Sequence, residues 1–462
     1  MRKHLIHILL ATSLVLGLAL MGVPQPVRAQ DGGVVQHSEC NEDLTGETIP
    51  FYTFGDLSGP YAPITQPLSA GFTDAIAYFN ANGGICGATI ELVSDDTGGD
   101  QEVTQSLYER YSTADPKPLQ ILMYSSADAE LLRAQAAEDE ITIALFSGST
   151  AGLYGENADE PGWVFAAIPL YTDQFGAFCE WVAANWDGLG IEGDPAIGHL
   201  SWEGSFGRAT ETPETTAYCE SLGVKVVGGE YFLPTTTDVT AQIQTLVDEK
   251  GANILFTTSL GTGPALIAAD LVNLGKEEDV MLAGVNWVLD TSVGLLGQQT
   301  FGAAGMPSTD GITGVLPYVW WDEQHPGTAL VQEQFAANDR NPLYRNIAYL
   351  AGFIAIDQYI EAVIRTVNRV GYENLNGASY YETLNDFEYD ALGGLLHYRF
   401  TPELRAQTMT RIGMLTYLKD ESGQPVVIEV NGNPMMVPII VPITDEWMQT
   451  PDLRPGGADV PQ

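Results

Sequence analysis

The sequence predicts an α/β protein of two lobes, each a mostly parallel sheet covered by helices on both faces. Three observations predict it. Short apolar runs alternate with segments whose apolar residues recur at helical spacing, the signature of strand–helix–strand units. The pattern restarts near Pro169. One sheet holding all the runs would need about ten strands or more, which is uncommon, so two sheets are expected.

The elements follow in order. Phe51–Leu57 reads as the first strand. Leu68, Phe72, Ile76 and Phe79 mark one face of a helix that stops at Asn82-Gly83-Gly84. Ala88–Val93 is a second strand, followed by the polar loop Ser94–Asp100. Gln120–Tyr124 and Ile141–Phe146 are short apolar strands with a helix between them. Beyond Pro169, a helix through Phe178 leads to the strand Pro195–Ser201, and another helix precedes Val224–Gly228. Val239, Ile243, Leu246 and Val247 share a helical face. Ile254–Thr258, a helix near Pro264–Leu274 and Val280–Val285 continue the alternation. Asn346–Val367 is a long apolar helix interrupted by Asp357, Gln358 and Glu361, which favours packing in a core over crossing a membrane. Residues 30–47 read as a loosely held leader. Residues 446–462, rich in Pro, Gly and Asp, read as a flexible tail.

At the start, Arg2, Lys3 and His4 precede an apolar run from Leu5 to Val23 and the exit Val27-Arg28-Ala29. This is the pattern of a secretory signal peptide spanning 1–29, with a retained membrane anchor as the alternative. Beyond Ala29 the chain keeps 16 Lys+Arg against 60 Asp+Glu, a net charge of −44, since the first 29 residues hold three of the 19 basic side chains and no acid. Such a surface repels nucleic acid and anionic lipid. Cys40, Cys86, Cys179 and Cys219 form an even set in a chain read as exported, which suggests disulfides. Neither CxxC nor Cys/His metal spacing is present, so no metal and no cofactor are expected.

Enzyme signatures are missing from the sequence. His199, His325 and His397 have no HExxH spacing, and there is no GxSxG elbow and no phosphate-binding GxxxxGK[ST]. Gly261-Thr262-Gly263 begins a GxGxxG but has Leu266 in the last place, so it reads as a strand-to-helix turn. Asp95, Asp96 and Asp100 lack the spacing of a calcium loop.

Several ordered blocks carry a resemblance. Gly55-Asp56-Leu57-Ser58-Gly59-Pro60-Tyr61-Ala62 is similar to the opening loop of the branched-chain amino-acid (Leu/Ile/Val) binding proteins. Ala81-Asn82-Gly83-Gly84-Ile85-Cys86-Gly87-Ala88-Thr89-Ile90-Glu91-Leu92 resembles their next turn and strand. Ile141–Ser149, Ser205-Phe206-Gly207 and Leu233–Gln244 match later blocks, so the resemblance spans about residues 48–430. It implies a type I periplasmic-binding-protein fold with a three-strand hinge, and an extracytoplasmic, monomeric receptor that is not an enzyme. Such a receptor captures a small ligand and delivers it to the permease of an ABC importer. The alternative is a ligand-sensing module feeding a membrane signalling protein. The implied lobes are 48–168 plus 318–408 and 169–317 plus 409–445, with crossings near Ile168–Tyr171, Thr313–Pro317 and Met409–Leu415. In this fold a Cys40–Cys86 staple is geometrically reasonable, and Cys179 and Cys219 lie on helices flanking one strand.

Ligands of parallel α/β sheets sit at the carboxyl ends of strands, where helix N-termini offer free N–H groups. The expected contacts from the first lobe are Ser58 and Tyr61, Ser125 and Ser126, and Ser147, Ser149 and Thr150. Ser125, Ser126 and Ser149 also suit simple helix capping. The expected contacts from the second lobe are Tyr171, Trp202, Phe206, Ser259, Asn286 and Trp287. Phe206 stands where the family has Tyr, and Asn286 where amino-acid binders place an acid, with Glu203 or Asp290 as substitutes. The expected ligand is therefore a small polar or amphipathic molecule: an amino acid, an amide or a carboxylate.

Overall fold

The computed structural model describes residues 34–430 and 432–461; the segment read as a signal peptide, and residues 30–33 of the leader, lie outside them. The first sheet has the order β2-β1-β3-β4-β5 and is parallel throughout. Its strands are β1 (Thr48–Gly55), β2 (Thr89–Asp96), β3 (Gln120–Leu122), β4 (Thr142–Leu145) and β5 (Val164–Ala166). The intervening helices are α1 (Ala62–Ala81), α2 (Gln101–Ser112), α3 (Ser126–Glu138) and α4 (Thr150–Tyr154). Alternate residues face opposite ways. Tyr52 and Ile121 join Tyr108, Ala129 and Leu132 under α2 and α3. Phe51 and Leu122 face α1 and a long helix that arrives much later in the chain.

After β5 the chain builds a second sheet. Helix α5 (Tyr171–Asn185) leads to β6 (Ala196–Trp202), α6 (Ser205–Arg208), α7 (Pro213–Ser221), β7 (Lys225–Phe232) and α8 (Thr240–Gln244), which continues as a π-helical turn to Glu249. Strands β8 (Ile254–Thr257), β9 (Met281–Gly284) and β10 (Thr313–Val315) follow, with α9 (Thr262–Asn273) and α10 (Thr291–Leu296) between them. Phe175 of α5 packs on His199, whereas Leu246 covers Gly198 on the opposite face.

The chain then returns to the first sheet with α11 (Pro326–Ala337), α12 (Ile347–Val370), α13 (Gly377–Leu384) and the hairpin β11 (Phe387–Ala391) and β12 (Leu396–Phe400). It passes through the short strand β13 (Met409–Thr410) and re-enters the second sheet with β14 (Ile412–Tyr417). The separate hairpin β15 (Val427–Val430) and β16 (Asn433–Met436) follows, β17 (Pro438–Pro442) then completes the second sheet, and β18 (Met448–Gln449) pairs with β13 apart from it. The second sheet has the order β17-β14-β10-β9-β8-β6-β7. It is mixed rather than wholly parallel, since β14 runs antiparallel to β10 and to β17. β14 enters from the hinge, the end at which β10 leaves, so it runs backwards. The fold is the expected pair of α/β lobes joined by three passages of chain, which hold one another where Ala166 pairs with Ala406 and Leu316 with Arg411.

Helix α12 is long and apolar enough to cross a membrane, yet its apolar window is wholly buried in the protein. It lies against α1 at two glycines. A Cβ on Gly71 would stand 2.5 Å from the Tyr349 carbonyl oxygen, and one on Gly352 would stand 2.8 Å from the Gly71 backbone. The acids of α12 have partners: Asp357 accepts from Tyr389 and Leu392 and meets His37 at 2.8 Å, and Glu361 accepts from Ser38 and Arg365.

Those bonds correct the expected loose leader. His37, Ser38, Glu39 and Asn41 are bonded to α12, Leu44 is buried, and Cys40 is bonded to Cys86. The second disulfide joins Cys179 to Cys219. The expected flexible tail is corrected too. β18 pairs with β13, Leu453 is 0% exposed, and its N–H donates to Asp173 at 3.1 Å. Gly176 of α5 leaves the space that Pro451 and Leu453 fill. The polar composition concealed one apolar anchor, and that anchor decides the outcome.

Candidate functional site

The carboxyl ends of both sheets face one cavity of about 1160 Å³, mouth included. From the first lobe its walls take Tyr61, Ile64 and Leu68 of the segment after β1, Met123–Ala127 after β3, and Phe146 after β4. From the second they take Glu203–Phe206 after β6, Leu260 after β8 and Trp287 after β9, with Tyr171 at the start of α5. This is where parallel α/β sheets present loops and helix N-termini to ligands.

The cavity then continues inward across one face of the first sheet. Gln120, Leu122, Ala144 and Phe165 form its floor. Ala348, Ala351, Ala355 and Gln358 of α12 form the opposite wall, closed by Leu384, Tyr398 and Phe400. Three alanines on one helical face leave the space that larger side chains would fill.

Polar groups gather at the mouth. Ser125 caps α3, accepting from Asp128 N–H at 3.2 Å. The Ser126 and Ser147 hydroxyls lie beside the Tyr171 hydroxyl, which accepts from the Trp287 indole at 2.9 Å; burial pushes the Tyr171 pKa up to about 12. Asp128 is buried close to Tyr61 and Tyr124, and burial pushes its pKa up to about 6. Glu203 lies exposed at the rim. Among the described residues, no Lys, Arg or His lines the cavity. The lobes touch across the mouth. Glu130 of α3 accepts from Ser149 at 2.6 Å and from Ser205 of the second lobe at 2.7 Å. Tyr61 meets Trp202 edge-on with ring centroids 5.7 Å apart.

Of the expected contacts, Tyr61, Ser125, Ser126, Tyr171, Phe206 and Trp287 line the cavity. The others do not. Ser58 is exposed and lies beside Asp96. Ser147 is buried behind the wall and accepts from Gln174 at 3.2 Å. Ser149 caps α4, and Thr150 faces Thr172. Trp202 stands behind Tyr61 and Phe206. Ser259 is buried against Thr257 at 2.7 Å. Asn286 is fully buried with its backbone N–H on Gln174, and nothing in the structure explains its side-chain amide, which has no protein partner. Asp290 caps α10 and accepts from Ile347 N–H, which leaves Glu203 as the acid able to face a ligand. Small hydroxyl residues after a strand serve capping as readily as binding, and here the third loop caps.

Sequence reasoning missed the inner half of the cavity. The available signals were Gln120 opening an apolar strand and Gln358 interrupting an apolar helix, each a polar group placed where only burial awaited it.

A family model described as periplasmic binding protein matches residues 53–419. No curated protein matches the sequence. Among solved structures, a branched chain amino acid ABC transporter from Thermus thermophilus with bound valine is similar with a TM-score of 0.69 at 17% identity, covering 87% of this chain and 98% of that one. A fatty acid ABC transporter substrate-binding protein from Thermomonospora curvata has a TM-score of 0.67 at 19% identity, covering 92% and 97%. An R. palustris solute binding protein in complex with 4-hydroxybenzoate has a TM-score of 0.64 at 16% identity, covering 87% and 98%.

Proposed function

The chain belongs to the periplasmic binding protein family, whose members here are substrate-binding proteins of ABC transporters rather than enzymes, and from that premise we propose that it captures a small amphipathic molecule between its lobes for an ABC importer. The family implies an extracytoplasmic location. The moving bodies are the segments 48–168 plus 318–408 and 169–317 plus 409–445. The observation that carries the reading is the cavity itself, open between the carboxyl ends of two sheets and walled mainly by apolar side chains.

The mouth supports a head group that is neutral or zwitterionic. Ser126 and the N-terminus of α3 offer donors, and Glu203 offers one carboxylate. A bare anion entering a wall without a cation, with Asp128 behind it, would be desolvated without repayment. An amide or an amino acid fits better than a simple carboxylate. Ligand would bind one lobe and the other would close over it.

A thermal-shift panel of amino acids, short amides, urea and aromatic acids tests the reading. A tight ligand raises the melting temperature by mass action. Small-angle scattering with that ligand should show compaction; binding with no change of shape would refute the closure.

A further inference from the structure

The inner half of the cavity is deeper than a small amino acid needs. Along β3, the five residue steps from Gln120 to Ser125 span about 16 Å at ~3.3 Å per residue. Along α12, the ten steps from Ala348 to Gln358 span about 15 Å at 1.5 Å per residue. Both measures run from the mouth to the same inner end. There, Gln120 and Gln358 are 3% and 4% exposed, line the cavity, and have amide nitrogens without a protein partner. The Tyr380 hydroxyl donates to Gln120 Oε1 at 3.0 Å and lies beside Gln358, so the two amides share one locus. Tyr398 adds a phenol to the same end of the wall.

An apolar chamber with two unpartnered donors at its blind end is costly unless something accepts from them. Resting on the reading of the mouth as the head-group site, we propose that the chamber receives an unbranched apolar chain whose far end carries a hydroxyl or carbonyl oxygen, held by Gln120 and Gln358. Each ~1.5 Å C–C bond of a zigzag chain advances about 1.25 Å, so ten carbons with a polar group at each end span about 14 Å and fit within the chamber's depth. The ligand is then polar at both ends and apolar between them.

The experiment compares decanamide, ω-hydroxydecanamide, butanamide and leucine by calorimetry on the wild type, Gln358→Met, Gln358→Leu and Ala351→Leu. Circular dichroism and melting temperature report whether each variant folds. In the wild type, ω-hydroxydecanamide should bind about tenfold tighter than decanamide, the worth of one buried hydrogen bond. Both Gln358 variants should erase that difference by weakening the hydroxylated probe alone. Ala351→Leu, which shortens the chamber without reaching the mouth, should abolish binding of both long probes. Decanamide binding as tightly as its hydroxylated partner would overturn the proposal, because the glutamines would then hold only water. Long-probe binding untouched by Ala351→Leu would also overturn it. If butanamide or leucine binds and neither long probe does, the chamber inference fails while the receptor reading stands. If no probe of any length binds, both fail.

Discussion

Glu130 joins the lobes through two serine hydroxyls, one from each side of the mouth. Hydrogen bonds to a charged acceptor contribute about 1.5–3 kcal/mol each. The bond to Ser205 forms only when the lobes meet, so Glu130→Ala should weaken ligand binding about tenfold or more by calorimetry. The Ser149 bond lies within the first lobe, so the melting temperature without ligand should fall as well, whereas Ser205→Ala, which removes only the bond between lobes, should weaken binding with little change in that melting temperature. Two other buried groups set a pH dependence. Burial pushes His199 from 6.5 down to about 4. The unfolded chain therefore takes up this proton first, and stability falls as pH drops from 6.5 towards 4. Burial pushes Asp173 from 3.8 up to about 7. Here the folded chain takes up the proton first, so stability rises as pH drops from 7 towards 3.8. The two slopes oppose each other, each on the order of 3 kcal/mol. Relative to wild type, His199→Phe should gain stability on acidification and Asp173→Asn should lose it, read from urea midpoints at both ends of the range.

Among elements, the segment 446–461 tests how much one anchor contributes. Leu453→Ala empties a fully buried site against α5 and should cost about 2–4 kcal/mol by denaturant unfolding. The Cys179–Cys219 bridge ties α5 to α7 across 40 residues, for which the loop-entropy model gives about 4 kcal/mol. Removing both cysteines together should lower stability by that order in denaturant unfolding, and reductant should then lower the variant further only by what the remaining Cys40–Cys86 bridge contributes. Both elements also show what the sequence could reveal. The strands and helices of the two sheets were legible because apolar periodicity is set by burial, and burial is what the sheets do. The tail was not, because one leucine among prolines, glycines and acids has no periodicity. The cavity mouth was half legible: hydroxyl residues after β3 and β4 looked alike, and only packing determined that Ser126 faces the cavity while Ser149 caps a helix. The inner chamber depends on α12 lying beside β3, two elements more than 200 residues apart in a chain of 462. No local pattern encodes that meeting.

At the scale of the whole molecule, 60 acids stand against 19 basic residues. Like charges at this density repel, and the repulsion is relieved as salt shortens the screening length from about 30 Å at 0.01 M to about 8 Å at 0.15 M. The melting temperature should therefore rise across that range. A flat or falling profile would mean that local ion pairs such as Arg340–Asp74 and Arg411–Glu323 outweigh the net charge.

The order in which the chain visits its two sheets has a consequence for how it comes into being. The first sheet is complete in strands by Ala166, yet one of its faces is covered only by α1 until α12 is made. The second gains its last two strands only with β14 and β17, and the final anchor, Leu453, lies nine residues from the end. Neither lobe can bury its core while a long stretch of chain is still to come. Completion of either core therefore waits on chain made late in synthesis, and the two disulfides suit the extracytoplasmic location that the family implies.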